Sequence, residues 1–595
     1  MKAERKYIFH VLPLLLFIAL AFFINACKLW DIQQIVFYTD SQFWREHSHI
    51  IGGISEWITN LICQFFFYPI VGNVLLGVIL FALFELIMLT LNRLASNKFN
   101  YILALILPCI FLYFLKNPIF PLNFIFQLII TLLLVNVFLH FYPSNPVVNF
   151  LLFILLFLSI FYINSFLSTL VFGFCVLAFD FKSKRKNIAF RIIILIVLSA
   201  LVFLIGKYIL LTPNQIIFTG KEIFVFQSIN FKRIWLVFLI IPFLALLAGL
   251  LRKQVGPLSP IIGIVAITLL VAGVILIPLK DKNILADTFR YLDHNKSWEK
   301  LLKKAEQLRS DDRIVNFYTN KALYYTGKLS THLFEYPQSW GEYALFLTTL
   351  TEPTTLMDNS DLFYELGHIG AARYWAFEAQ TVFENRPNVI KRLAECNIIL
   401  GNYHAAKSFA LKLSKSIIHK KVANYYLRLI NDTTLIAHDK TILLKRQYTP
   451  KALVFLTKSN PENELKWLVE TCPSNRMAYE YLQTFYLLHN DVNKFAQNIC
   501  NLTKIGFNFL PNIYEQGIIT LYYMKNVKAD TICEYKISEA TRYRFEGYIR
   551  MLNQFGGNFS SAEPILRETF GNTYWYYLHF VSPITLKTKI EIQYE

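Results

Sequence analysis

The residues whose types suit chemistry gather in one stretch, 30–68, which holds Asp31, Asp40, Arg45, Glu46, His47, His49 and Glu56. Carboxylates and imidazoles can take a proton from a hydroxyl or help to hold a cation when a substrate lies within hydrogen-bond reach. Without a substrate, polar residues in such a loop are solvated or paired with their surroundings, and no spacing here matches a catalytic motif. Two more acids, Glu85 and Asp180, stand inside apolar stretches, where an unpaired charge is costly to bury. Asp180 adjoins the basic run Lys182, Lys184, Arg185 and Lys186 and needs no special role; Glu85 lies about two helical turns from Arg93 and points to a polar interior. A proton or ion relay would need several such groups, so transport is poorly supported. The eight cysteines form no CxxC pair and no Cys/His cluster with zinc spacing, so no metal site is expected. Four of them, Cys396, Cys472, Cys500 and Cys533, are scattered through the C-terminal half, where three disulfide connectivities are open.

The elements that carry these residues are of two kinds. A membrane span needs about 20 mostly apolar residues, because every backbone polar group must be satisfied inside the helix. By that measure spans are expected near 7–29, 69–92, 100–116, 119–141, 146–163, 165–181, 189–211, 234–251 and 259–278. The fifth and sixth are separated only by Tyr162, Ile163 and Asn164. Residues 1–280 are thus read as a polytopic transmembrane domain and 281–595 as a soluble helical one. Twelve basic residues, among them Arg93 and Arg191, fall on one side of these spans and seven on the other, which favours a cytoplasmic N-terminus. Nine spans then carry the C-terminal domain across, into a bacterial periplasm or an equivalent lumen, and leave 30–68 on the same outer face.

Charge follows the same division. Residues 1–280 carry 20 basic and 8 acidic side chains, so this part supplies +12 of the formal +18. Much of the basicity is loop anchoring, and the mixed charges of the tail give no nucleic-acid-binding stripe. Ile24-Asn25-Ala26-Cys27 faintly resembles a lipoprotein processing site, against which stands an ordinary cysteine at a span end. The Asn-x-Ser/Thr triplets at Asn295, Asn431, Asn501 and Asn558 read as chance in an Asn-rich chain.

The tail holds an internal echo. Leu366 to Ala376 is matched 34 residues later by Leu400 to Ala410, with Gly367 on Gly401, Ala371 on Ala405, Ala372 on Ala406 and Trp375 on Phe409. This resembles the tetratricopeptide repeat, in which a helix ends at a Leu-Gly turn and the next packs small residues against its neighbour. Glycine suits the turn because positive φ costs it little, and alanines allow close helix approach. Asn320 to Leu329, around Gly327, looks like another repeat end, and Met477 to His489 followed by Asp491 to Cys500 like another helix pair. Tyr481, Phe485, Tyr486, Tyr522 and Tyr523 are expected to be core. The resemblance implies an all-α fold with a concave surface that binds a partner protein.

As a whole the chain resembles an uncharacterised family of bacterial multi-pass membrane proteins with such a tail, on Gly52 to Glu56, Gln64 to Pro69 and the segment from Asp361 to Ile430. The leading expectation is therefore an inner-membrane scaffold of the cell envelope, serving assembly or secretion, with lipid and a protein as partners and no nucleic acid. The layout is also similar to the multi-span polyprenyl-phosphate-sugar glycosyltransferases, whose first external loop carries an acidic residue and surface-lying helices. That resemblance implies a lipid-linked sugar donor, Asp40 as base or ligand of a divalent cation, Glu46 as a second carboxylate, and Arg45 against a lipid phosphate. By its own pattern the stretch 54–67 is expected to lie on the membrane surface as an amphipathic helix. The acidic pair common in those enzymes is absent, since Thr39 and Ser41 flank Asp40.

Overall fold

The computed structural model describes residues 2–24, 36–94, 99–116, 120–183, 188–220, 238, 240–244, 259–277, 282–350, 352–383, 386–451, 461–527, 531–533, 535–556 and 559–585. Cys27, Asp31, Asn558 and most of the expected span 234–251 lie outside them. Nearly everything described is helical. The chain divides into two compact units, one of residues 1–281 and 413–421, the other of residues 282–412 and 422–595.

In the first unit, helix Pro69–Leu94 packs against Lys2–Ile24, Asn100–Phe114 and Asn123–His140. Gly77 makes the first of these contacts possible, since a Cβ there would lie 2.7 Å from the Cα of Ile18. Leu80, Leu83, Leu107, Leu128 and Leu132 form the buried centre. Helices Pro146–Ile163 and Phe166–Lys182 are distinct, and the break between them is set by backbone geometry. Asn164 leaves the helical region and Ser165 is extended, while the Asn164 amide donates to the Gln127 carbonyl and the Thr131 hydroxyl, both at 3.0 Å.

Among the described residues, Pro69–Leu94, Asn123–His140, Pro146–Ile163 and Ile188–Ile209 are long and apolar enough to cross a membrane. Asn100–Phe114 is shorter, as are the apolar parts His10–Ile24 and Val265–Leu276. Leu151, Leu155, Ile196 and Val197 are all more than half exposed, so these helices turn large apolar side chains outward, as an apolar surrounding allows.

The second unit is a succession of short helices. Thr355–Leu366 and Ile369–Val382 form a hairpin on which Pro387–Ile399 packs, Tyr403–Ser414 follows after a turn at Gly401, and Arg476–Leu488 is followed by Val492–Gln497. The turn glycines of the echo, Gly367 and Gly401, have φ of +92° and +79°, and Gly327 closes helix Arg313–Tyr325 with φ +69°. Ala371, Ala372 and Ala406 are fully buried, but Ala405 is exposed, because helix Tyr403–Ser414 turns its Ala406–Ala410 stripe inward instead. Tyr481, Phe485 and Tyr486 are core, whereas Tyr523, the last residue but one of helix Asn512–Met524, is 54% exposed. The described strands are only Thr531–Ile532 and Tyr535–Lys536, an antiparallel pair beside a Cys500–Cys533 disulfide.

Candidate functional site

The loop-one residues sit on two helices of the first unit. Asp40 is the N-cap of Ser41–Ser48, where its Oδ1 accepts from the Phe43 amide at 3.0 Å. Its Oδ2 accepts from Lys415 Nζ at 2.6 Å, and the Thr39 amide donates to the Lys415 carbonyl, in a short antiparallel bridge of Tyr38 with Ser416. Both oxygens of Asp40 are thus engaged within the chain, and the Lys415 hydrogen bond holds its carboxyl below the usual carboxylate range. Glu46 is exposed and accepts from Gln42, and Arg45 is exposed in the last turn. No hydrogen bond or ion pair joins Asp40, Arg45 and Glu46 among the described residues, although the charges of Asp40 and Glu46 add to burial in pushing Tyr38 upward. His47 bonds the Phe43 carbonyl. Among the described residues no group of His, Cys, Asp and Glu is arranged to hold a metal ion.

Residues 54–67 are helix Gly53–Cys63 and a 3-10 turn, Gln64–Phe67. Its buried stripe is polar, with Ser55, Thr59 and Asn60 turned inward and the Thr59 hydroxyl donating to Asn123 Oδ1 at 3.2 Å. Gly52, Asn164, Gly220 and Gln127 close a dense polar knot beside it. A Cβ on Gly220 would lie 2.2 Å from the Asn164 carbonyl, and Gln127 donates to the Thr219 carbonyl at 2.9 Å. Backbone and side chains meet closely at this point of the unit.

Deeper polar groups pair with one another. Glu85 bonds His10 at 2.7 Å, not Arg93, which donates to the Asn136 carbonyl. Arg191, expected as a loop anchor, is 3% exposed and pairs with Asp180 at 2.6 Å, with Tyr142 bridging the two and the rings of Phe150 and Phe153 at 4.9 Å. The pairing was hidden because a loop separates two residues that helix packing brings together.

An open cleft lies in the second unit. It has a volume of about 990 Å³ and is lined by residues from 306–339 and from 544–581. One wall carries Glu306 and Arg309 at the end of helix Trp298–Leu308 and Glu335 just beyond Leu329–His332. The other carries Arg544 from helix Glu539–Gln554 and Arg567 and Glu568 from Phe559–Phe570. Phe334, its ring tilted against that of Tyr577 at 5.1 Å, also lines the cleft. Arg544 is held by Asn572 Oδ1 at 2.6 Å, and Asp311 by Ser339 at 3.1 Å. Burial and the nearby Glu306 and Glu335 push the Tyr336 hydroxyl upward. Arg309 has φ +41°, a left-handed conformation that a non-glycine residue adopts at a cost. Sequence reasoning missed the cleft because no motif joins walls that lie more than 200 residues apart along the chain.

No curated protein and no solved structure matches this chain. Residues 4–581 match DUF6057, a family of unknown function, and the chain belongs to that family.

Proposed function

We propose that the chain is a polytopic protein of the inner membrane whose tail, a tetratricopeptide-like repeat domain on the periplasmic side, is a protein-interaction scaffold in envelope assembly or secretion. The observation that carries this reading is the open, charged cleft of the tail, whose walls come from helices at both ends of the unit. The left-handed glycine turns between helices at Gly367 and Gly401 support the repeat assignment. The Cys500–Cys533 disulfide supports an oxidising compartment for the tail, and the four long apolar helices support membrane insertion.

The lipid-linked-sugar reading needs Asp40, with Glu46 and Arg45, free to meet a substrate and a divalent cation, and Asp40 is the helix cap and the partner of Lys415. The transport reading needs a polar path through Glu85. We therefore place the scaffold first. The test is to chromosomally tag the full chain, cross-link intact cells and identify what is retained on the tail. The expected result is a partner protein retained equally by wild type and Asp40→Asn. Loss of an envelope glycan or glycolipid in Asp40→Asn, at unchanged protein level, would move the assignment to the transferase.

A further inference from the structure

We propose that the tail cleft is the binding site for an extended polypeptide segment that carries both positive and negative side chains. The inference rests on the scaffold reading and names the ligand class of its site.

Among the described residues, no ion pair joins a cation of the cleft wall to an anion of it. Lys328 reaches outward to Glu299, and Arg567 is 3.9 Å from Glu563, neither of which lines the cleft. Charges of both signs, chiefly Arg309, Arg544 and Arg567 with Glu306, Glu335 and Glu568, therefore face one space without neutralising each other. A nucleic acid or other polyanion would meet the three glutamates, and a purely basic peptide the three arginines. A neutral glycan carries no charge to pair with either set. A segment with both signs satisfies both sets, and a cleft of about 990 Å³ is large enough for several residues in extended form. Arg309 caps helix Trp298–Leu308 in the left-handed conformation, its amide donating to the Ala305 carbonyl, so glycine fits the same backbone and its side chain can be removed without disturbing the cap.

The test uses the full chain in its native host. The photo-cross-linking residue p-benzoylphenylalanine replaces Tyr336 in the cleft and, as controls, the exposed Phe377 or Tyr425 elsewhere on the unit. We expect a protein adduct at 336, reduced about tenfold by the double reversal Arg567→Glu with Glu568→Lys and by high salt, and kept by Arg567→Lys. Arg309→Gly should also weaken the adduct while leaving thermal stability at or above that of wild type, which separates binding from folding. Adducts at 377 or 425 but not at 336 would overturn the cleft assignment and leave the scaffold standing; no adduct at any position would overturn both. A protein adduct at 336 indifferent to charge reversal, or an adduct that is glycan or nucleic acid, would overturn the ligand class.

Discussion

Asp40 is held by two different interactions that substitution can separate. Asparagine keeps a cap acceptor and loses the Lys415 ion pair, whereas alanine loses both. In thermal unfolding of the detergent-solubilised chain, Asp40→Asn should cost about 0.2–1 kcal/mol, as a partly exposed ion pair does, and Asp40→Ala about 1 kcal/mol more. Because Lys415 depresses the Asp40 carboxyl, its contribution is present above the unfolded pKa of about 3.9 and is lost as pH falls through the folded value. The gap between wild type and Asp40→Asn should therefore close below about pH 4; a gap that persists there would mean that the ion pair is not its source. A second residue-scale case is Lys321, 1% exposed and 2.8 Å from both Asp293 and Glu365. Lys321→Met would leave two partly buried carboxylates without their cation and should cost about 1–3 kcal/mol in denaturant unfolding. Burial, with Glu365 adding to it against Lys321, pushes the Asp293 carboxyl up to about 7. A raised carboxyl favours folding below its unfolded pKa and loses that contribution as pH rises through its folded one. Asp293→Asn should thus gain on wild type as pH passes from about 4 to above 7. The residue types of loop one were legible in the sequence, but Lys415 lies 375 positions from Asp40, and no local pattern announces a partner at that distance.

The two glycines of the 34-residue echo look equivalent in the sequence and are not equivalent in their helices. At Gly401 an added Cβ meets no heavy atom within 4 Å, so Gly401→Ala pays only for its left-handed backbone, about 1 kcal/mol. At Gly367 the same Cβ would lie 2.4 Å from Cβ of Tyr448, so overpacking adds about 1–3 kcal/mol. Equal losses in the two variants, measured by guanidinium unfolding, would show that Tyr448 yields. The echo made both turns legible because glycine at a helix end is a local signal; Tyr448 belongs to a later helix and is supplied by packing alone. In helix Gly53–Cys63 the amphipathic pattern marks two faces without saying what each meets. Ser55 and Thr59 point inward, the Ser55 hydroxyl to the Gly52 carbonyl at 2.8 Å and that of Thr59 to Asn123, while Ile54, Trp57, Ile58 and Leu61 stay partly exposed. Where the surroundings are apolar, polar side chains find partners inside the fold, and the amphipathic pattern reads the same with either face inward.

For the whole molecule, the contrast between an apolar first part and a mixed-charge second part was plain in composition, but nothing in residues 413–421 marks them as packing within the first unit. Their place there follows from the Tyr38–Ser416 bridge, the Lys415 ion pair and the ring contact of Phe67 with His419, all of long sequence separation. In the proposed membrane arrangement, the side on which the second unit lies depends on the parity of the spans, and the cysteines can read it. Cys472 is free and partly exposed, Cys500 and Cys533 are bonded, and Cys396 is buried with its thiol pushed up to about 12 by desolvation. Cys63, Cys109 and Cys175 are buried as well. In a chain carrying Cys27→Ser, a membrane-impermeant maleimide applied to intact spheroplasts should therefore label Cys472, and Cys472→Ser should abolish the signal. Reduction should then expose two further thiols and change the mobility of the unfolded chain on a gel. Labelling only after lysis, with no mobility change on reduction, would put the tail in the cytoplasm, where a disulfide is disfavoured and an even number of spans is required. The cleft would then meet cytoplasmic segments instead of exported ones, and the envelope-assembly reading would fail with the topology.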